Sequence, residues 1–245
     1  MGVGYGMRAG FIAAAMVFAV GCGKNNGDPT KVLGVYSKDS LAVRHILDAN
    51  GLSSQVVGGT VSPCDPNNQE RIGELNLQHR GIKIIPADIG QLSGMKVLRL
   101  DSNAVASLPP EIGNCASLTI ISVSQDSLRA LPQAIGKLNA LRNLTLSGNM
   151  LSALPVEIGA LSALTTLKLD MNRLTSLPST IGSLANLQVL FLHDNQLTSL
   201  PSEITRCINV QFLTVNNNKL CSVSASIKKW MTAEPNWQDT QTGCQ

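Results

Sequence analysis

A pattern of apolar residues recurs at a fixed interval of 23 residues along most of this chain. Seven repeats follow one another without an insertion, beginning at Ile72, Met95, Leu118, Leu141, Leu164, Leu187 and Val210. Residues 141–163 read LRNLTLSGNMLSALPVEIGALSA, and residues 164–186 read LTTLKLDMNRLTSLPSTIGSLAN. One such unit cannot bury its apolar side chains alone, so the units must stack on each other. The interval therefore predicts a solenoid.

Each position of the shared pattern, LxxLxLxxNxLxxLPxxIGxLxx, has a physical role. In the fourth repeat Leu144 and Leu146 alternate with Thr145, which predicts a short strand whose leucines point inward. Asn149 follows the strand, where its amide can donate to and accept from backbone groups of the turn. Pro155 has a fixed φ and no N–H, and it favours an extended segment on the opposite, convex side.

The asparagine recurs in most repeats and should form a structural ladder along the stack, made of Asn103, Asn149, Asn172, Asn195 and Asn218. Asp126 replaces it in the third repeat and can still accept a hydrogen bond. Arg80 replaces it in the first repeat and suggests a looser first coil. Gly159 permits either a positive φ or close packing at the following turn.

The repeats resemble the leucine-rich-repeat family, and the LPxxIGxL half resembles its 23-residue class, over residues 72 to about 225. The resemblance implies an α/β repeat solenoid, a horseshoe with about seven parallel short strands on its concave face. It also implies a helical N-terminal cap and a C-terminal cap. We therefore expect an N-terminal cap at residues 38–71, repeats at 72–220 and a C-terminal cap at 221–245.

The sequence on each side of the repeats predicts what covers the two ends. Residues 39–51 form an amphipathic pattern with an N-cap at Asp39 or Ser40 and a stop at Gly51. Its expected apolar face consists of Leu41, Val43, Ile46 and Leu47. Downstream, both tryptophans of the chain fall in the terminal segment, which looks like a disulfide-closed cap with Cys221 paired to Cys244.

The first 21 residues have the composition of an export signal. Arg8 precedes an apolar run at residues 11–20, which is too short to span a membrane stably. Cys22 follows residues 19–21 as in a bacterial lipobox, although Ala19 stands where that motif usually has leucine. The resemblance implies lipid attachment at Cys22 and a flexible tether at residues 22–37.

The destination of the exported chain follows from the same resemblance. Gly23 after the cysteine favours the outer membrane, so we expect a bacterial envelope protein that touches the membrane only through its lipid. Ordinary secretion with cleavage near Gly21 is the alternative, and it would leave Cys22 a thiol.

The remaining cysteines give no metal or catalytic signal. Cys115 and Cys207 occupy one repeat position four coils apart, about 19 Å at the strand spacing, beyond the ~7 Å limit for a disulfide. We interpret both as buried core residues. Cys64 has no evident partner and is either a free thiol or paired with a cysteine that we cannot place.

No CxxC, HExxH, GxSxG or phosphate-loop motif occurs outside the leader, so we expect neither enzymatic activity nor a cofactor or metal. His79 and His193 lie five coils apart, about 24 Å, too far to share a reaction centre. Charged residues are only 14% of the chain, the net charge is +3, and no block of like charge occurs. This argues against nucleic acid as a partner.

Residues that alternate with the strand leucines point outward onto the concave face, where we expect another protein to bind. Our candidate ligand-binding residues are Arg99, Asp101, Lys168, Asp170, Val189, Phe191, His193 and Phe212. Val189, Phe191 and Phe212 should stand together, with Lys168, Asp170 and His193 beside them. We expect coils five to seven to carry the main contacts, because exposed apolar groups often mark interfaces.

Three alternatives stay open at this point. The C-terminal cap could cover Phe212, or the face could bind an envelope polysaccharide, or the solenoids could associate with each other. A polysaccharide site would favour several exposed aromatic side chains in a row.

Overall fold

The computed structural model describes residues 38–52, 61–63, 72–231 and 241–242. The predicted signal peptide, the lipidation site Cys22, the tether, Cys64 and Cys244 lie outside these residues.

The described strands form one sheet in which every strand pairs with the next one in the chain. Neighbours from β2 onward are parallel and shifted by one repeat, so that Leu144 of β5 lies opposite Leu167 of β6. The strands are β1 Val61–Pro63, β2 Ile72–Asn76, β3 Val97–Arg99, β4 Ile120–Ser122, β5 Asn143–Thr145, β6 Thr166–Lys168, β7 Val189–Phe191 and β8 Phe212–Thr214. Seven parallel strands were expected, whereas β1, antiparallel to β2, was not.

The convex side carries a short 3₁₀ turn in each complete coil. Pro155 is extended, with φ −67° and ψ 148°, as the fixed ring predicts. The extended conformation ends there, because the chain turns at once into Val156–Ala160, and the Leu161 N–H donates to the Ile158 carbonyl. The six turns are Ala87–Gln91, Pro110–Asn114, Gln133–Lys137, Val156–Ala160, Ser179–Ser183 and Ser202–Arg206.

One apolar core runs through the stack between the sheet and the 3₁₀ turns. Leu144, Leu146 and Leu161 have no exposed surface, and the same positions are buried in the other complete coils. Cys115 and Cys207 are fully buried free thiols, as the core interpretation requires. Burial, with the charge of Asp39 as a lesser cause, raises the pKa of Cys115 to about 12, and burial raises the pKa of Cys207 to about 11.

The first helix, α1 Lys38–Ala49, caps the N-terminal end, but two details differ from expectation. The N-cap assignment to Asp39 or Ser40 was wrong, because the helix already includes Lys38. The buried Asp39 carboxylate instead accepts from the Ile72 N–H at 2.8 Å and fixes the start of β2. Leu41 is 39% exposed, so it does not belong to the apolar face formed by Val43, Ile46 and Leu47.

The C-terminal end carries the helix α2 Ala225–Trp230 and a return of the chain to the stack. The Trp230 indole donates to the Cys207 carbonyl at 3.0 Å, so one tryptophan packs against the last complete coil. Cys221 is disulfide-bonded. Its predicted partner, Cys244, lies outside the described residues, so the pairing itself stays a prediction.

The ladder asparagines make the same set of hydrogen bonds in successive coils. Asn172 accepts from the Leu151 N–H at 3.0 Å and donates to the carbonyls of Leu146 at 2.9 Å and Leu169 at 3.0 Å. Asn149, Asn195 and Asn218 repeat this arrangement, and Asn103 does so with the first coil. Each amide thus joins neighbouring coils through backbone groups that would otherwise be buried and unpaired.

One further residue, which we did not predict, extends the ladder beyond Asn218. Gln241 stands one period after Asn218, accepts from the Leu220 N–H at 3.2 Å and donates to the Val215 carbonyl at 3.1 Å. These partners lie at the sequence separations that the asparagines use. The longer glutamine therefore continues the ladder into the C-terminal cap.

Candidate binding surface on the concave face

Strand geometry places two sets of side chains on the concave face. Successive residues of a strand point to opposite sides, so the residues that flank a buried leucine point away from the core. Thr145 and Lys168, for example, are both partly exposed and lie opposite each other on β5 and β6. All eight predicted ligand-binding residues lie on these strands or directly after them.

The structure brings together an apolar group at the C-terminal half of the face, as the periodicity predicts. Val189 pairs with Phe212 across β7 and β8, and Phe191 pairs with Lys168 and with Thr214 on either side. We call Lys168, Val189, Phe191, His193 and Phe212 the aromatic patch.

Phe191 and Phe212 differ in their surroundings. The Phe191 ring is partly buried, because the Lys168 ammonium lies 5.1 Å from its centroid and the His193 ring lies 6.3 Å away. Phe212 is 62% exposed, and the described residues of the C-terminal cap leave most of its surface open. A large apolar side chain that is exposed to solvent on the concave face is a candidate contact for a partner.

His193 lies beside two carboxylates, just after strand β7. Its Nδ1 lies 2.8 Å from the Thr214 hydroxyl, and its Nε2 lies 3.8 Å from a carboxylate oxygen of Asp170 and of Asp194. Asp170 is buried and accepts from the Ser147 hydroxyl at 2.7 Å. Because Asp170 is buried and already engaged, we interpret it as a residue that positions His193 and not as a direct contact for a partner.

Two of these neighbours, Thr214 and Asp194, were not among the predicted ligand-binding residues. Thr214 stands one period after Phe191, so the repeat alone could have located it. Asp194 belongs to a column of residues whose backbone is left-handed. Gly148 is the one glycine in this column and thus the one sequence signal for that conformation. The column consists of His79, Ser102, Gln125, Gly148, Met171, Asp194 and Asn217, with φ between 53° and 68°.

The charged side chains on the N-terminal half of the face are paired within the protein. The Arg99 guanidinium lies 3.1 Å from the Glu74 carboxylate. Burial alone would raise the pKa of Asp101, but hydrogen bonds from Ser122, Ser124 and Gln78 outweigh it, and the pKa lies below its ordinary value. Arg99 and Asp101 thus occupy a different part of the surface from the aromatic patch.

Within residues 38–52, 61–63, 72–231 and 241–242, no group of three or more His, Cys, Asp or Glu could hold a metal ion. Among the same residues, no helix has the length and apolar character needed to cross a bilayer.

Two family models match the repeats of this chain. A model described as leucine rich repeat matches residues 72–151, and one described as leucine-rich repeat region matches residues 131–231. No curated protein matches the chain.

Solved structures with the same architecture come from bacteria and plants. A leucine-rich-repeat protein of Leptospira interrogans is 31% identical with a TM-score of 0.53, and the match covers 68% of this chain and 49% of that protein. The ectodomain of the Arabidopsis thaliana receptor kinase GASSHO1/SCHENGEN3, solved with CASPARIAN STRIP INTEGRITY FACTOR 2, is 36% identical with a TM-score of 0.53 over 60% and 18%. The plant peptide hormone receptor RGFR1, solved with RGF2, is 34% identical with a TM-score of 0.51 over 56% and 23%.

This chain therefore spans about half the length of the Leptospira protein and a smaller part of the plant receptors. The parallel strands, the asparagine ladder and both family models agree on the architecture. Residues 72–231 form a leucine-rich-repeat solenoid.

Proposed function

We propose that this chain is a non-enzymatic protein-binding module of the bacterial cell envelope and that its partner lies along the concave face. Leucine-rich-repeat domains generally mediate protein–protein binding and are typically not enzymes. Their curvature creates an extended concave surface for a partner. The plant structures above contain such receptors together with their ligands.

The observation that carries the proposal is the aromatic patch. Phe212 is open to solvent, and Phe191 lies beside it on the next strand, in the inner curve of the solenoid. Aromatic side chains near the centre of an interface often contribute most of the binding energy. The corresponding strand positions of the N-terminal half hold Val97 and Ile120, which are smaller and only partly exposed, whereas Phe212 is 62% exposed.

The test replaces Phe191 with alanine and measures the affinity of a captured envelope protein. We expect the loss to be at least about 1 kcal/mol, roughly fivefold in Kd, with an unchanged melting temperature. Val156→Ala is the matched control, because Val156 is an equally open apolar side chain, 59% exposed, on a convex 3₁₀ turn. Unchanged affinity in Phe191→Ala, or an equal loss in the control, would reject the concave site.

The envelope location is supported by the sequence of the leader. In this proposal residues 1–21 are removed, Cys22 carries the lipid, and the protein is held at the outer membrane. Cys22→Ala should move the protein from the membrane fraction to the soluble fraction without changing its fold. Retention of Cys22→Ala in the membrane fraction would contradict lipid anchoring.

A polysaccharide ligand has less support than a protein. Stacking on sugars favours a row of exposed aromatic rings, and on the described concave face only Phe191 and Phe212 are aromatic apart from His193. Binding to purified envelope polysaccharide, lost in Phe212→Ser, would favour this second function.

A further inference from the structure

Lys168 is a cation on the concave face that no carboxylate of the described residues neutralises. Its ammonium lies over the Phe191 ring, 5.1 Å from the centroid. Arg99 occupies the same strand position three coils earlier, and there the Glu74 carboxylate lies 3.1 Å from the guanidinium. Among the described ion pairs, Lys168 has no counterpart to Glu74.

The carboxylates nearest to the aromatic patch are already engaged. Asp170 accepts from Ser147, its side chain is only 10% exposed, and its other oxygen faces His193. Asp194 accepts from the Asn217 amide at 2.7 Å and also faces the His193 ring. The charge that this patch leaves for a partner is therefore positive, and it lies against an aromatic ring next to the open Phe212.

We infer that the partner presents an extended peptide segment in which a carboxylate binds Lys168 and a large apolar side chain packs on Phe212 and Val189. The inference rests on the proposed function and specifies the chemistry of the ligand. A carboxylate would complete an ion pair that the described residues leave open. An apolar side chain would remove from water the surface that Phe212 exposes.

The strand spacing fixes how far apart the two groups must be. Lys168 and Phe212 are separated by two strands of about 4.8 Å each and by two residues along the strand, which gives about 12 Å between their Cα atoms. An extended peptide advances about 3.4 Å per residue. The carboxylate and the apolar side chain should therefore lie about four residues apart, because only an even separation places both on the same face of an extended peptide.

The experiment selects peptides from a random-peptide display library on the immobilised full-length chain. Selection on the wild type should enrich Asp or Glu about four residues from a large apolar residue. Selection on Lys168→Glu should enrich Lys or Arg at the same spacing instead. Lys137→Glu is the matched control, because it makes the same charge change on an exposed side chain of a convex turn and should leave the acidic preference unchanged.

Affinities of the selected peptides then separate this inference from the proposed function. An acidic peptide from the wild-type selection should bind Lys168→Glu about tenfold or more weakly, and its Lys-substituted version should show the opposite preference. Peptides that bind through Phe191 and Phe212 but show no preference for acid would overturn the inference and leave the concave site intact. Peptides that are unaffected by Phe191→Ala and Phe212→Ser would overturn both.

Discussion

Leu144 and Thr145 are consecutive residues of β5, but the columns to which they belong differ along the stack. The Leu144 column contains leucine or isoleucine in all seven coils and is buried in each. The Thr145 column contains Asn76, Arg99, Ser122, Lys168, Phe191 and Thr214, all partly exposed. The interior repeats because every coil must fit the next one, whereas the concave face can vary because only a partner constrains it.

Departures from the repeat therefore have different meanings in the two regions. On the concave face, Phe191 and Lys168 differ from the other residues of their column, while the leucines beside them stay buried. In the interior, a change at a repeated position must be compensated by its neighbours. Asp126 in the ladder and Thr205 in the glycine column are two such interior departures, and they allow the comparison to be tested.

The largest expected effect comes from adding a methyl group to the interior glycine column. A Cβ on Gly182 would lie 2.2 Å from the Glu203 carbonyl oxygen of the next coil, so the two coils would have to separate. Overpacking against backbone cannot relax by a rotamer change, and Gly182→Ala should lower the free energy of unfolding by about 3 kcal/mol or more. Denaturant unfolding measures the loss.

Thr205 provides the control for this substitution. It occupies the glycine position of the last 3₁₀ turn, where α2 follows in place of another such turn, and its hydroxyl donates to the Ser202 carbonyl at 2.8 Å. Thr205→Ala should change the stability by no more than about 0.5 kcal/mol. A loss below about 1 kcal/mol in Gly182→Ala would mean that coil spacing does not require glycine.

Removing one rung of the ladder should have the next largest effect. Asn172→Ala leaves the Leu151 N–H and the Leu146 and Leu169 carbonyls without their buried partner. Partial relaxation and water reduce the combined penalty, and we expect a loss of about 2 to 3 kcal/mol in denaturant unfolding.

Asn186→Ala is the corresponding surface change, because Asn186 makes a single exposed hydrogen bond, to the Ser162 carbonyl at 2.8 Å. It should cost less than about 0.5 kcal/mol. Equal losses in the two variants would show that the ladder contributes no more than a surface amide does.

Restoring the missing rung should stabilise the protein. The Asp126 Oδ1 accepts from the Val105 N–H at 2.7 Å, but its buried Oδ2 has no partner, because a carboxylate cannot donate to carbonyls as the ladder amides do. Burial chiefly, with the charge of Asp101, raises the pKa of Asp126 to about 6 despite the opposing hydrogen bond from Val105. Asp126→Asn should gain about 1 to 2 kcal/mol at pH 7.5.

The sign of the pH dependence follows from this raised pKa. Between pH 4 and 6 the folded state binds more protons at Asp126 than the unfolded state, so its contribution to stability falls as the pH rises through this range. The advantage of Asp126→Asn should therefore be full above pH 6 and small at pH 4. Asn149→Asp, in the next coil, should show the reverse, and a pH-independent gain in Asp126→Asn would exclude this origin.

The periodic features could be predicted from the sequence, and the aperiodic ones could not. The strand register and the grouping of Phe191 with Phe212 follow from the 23-residue interval alone. The antiparallel strand β1 and the contact between Asp39 and Ile72 occur once and have no repeat to reveal them. Gln241 also lies one interval after Asn218, but it was not predicted. It is a glutamine and not an asparagine, and the sequence before it does not follow the repeat.

In the aromatic patch, the residue positions could be predicted from the sequence, but the side-chain contacts could not. The positions of Lys168, Phe191 and Thr214 follow from the register, because residues one interval apart lie opposite each other. The stacking of the Lys168 ammonium on the Phe191 ring, and the His193 contact to the Thr214 hydroxyl, depend on side-chain rotamers. The sequence alone does not specify those rotamers.

The smallest expected effect is the one that separates the two regions most directly. Phe212 and Leu213 are consecutive in β8, with 62% and 4% of their surfaces exposed. Phe212→Ser should change the free energy of unfolding by no more than about 0.5 kcal/mol, because little of the ring is removed from water on folding. Leu213→Ser should cost about 3 kcal/mol, since it leaves a cavity and buries a hydroxyl. A loss above about 1 kcal/mol in Phe212→Ser would assign that ring to the fold of the last coil, and the patch would lose its most open contact for a partner.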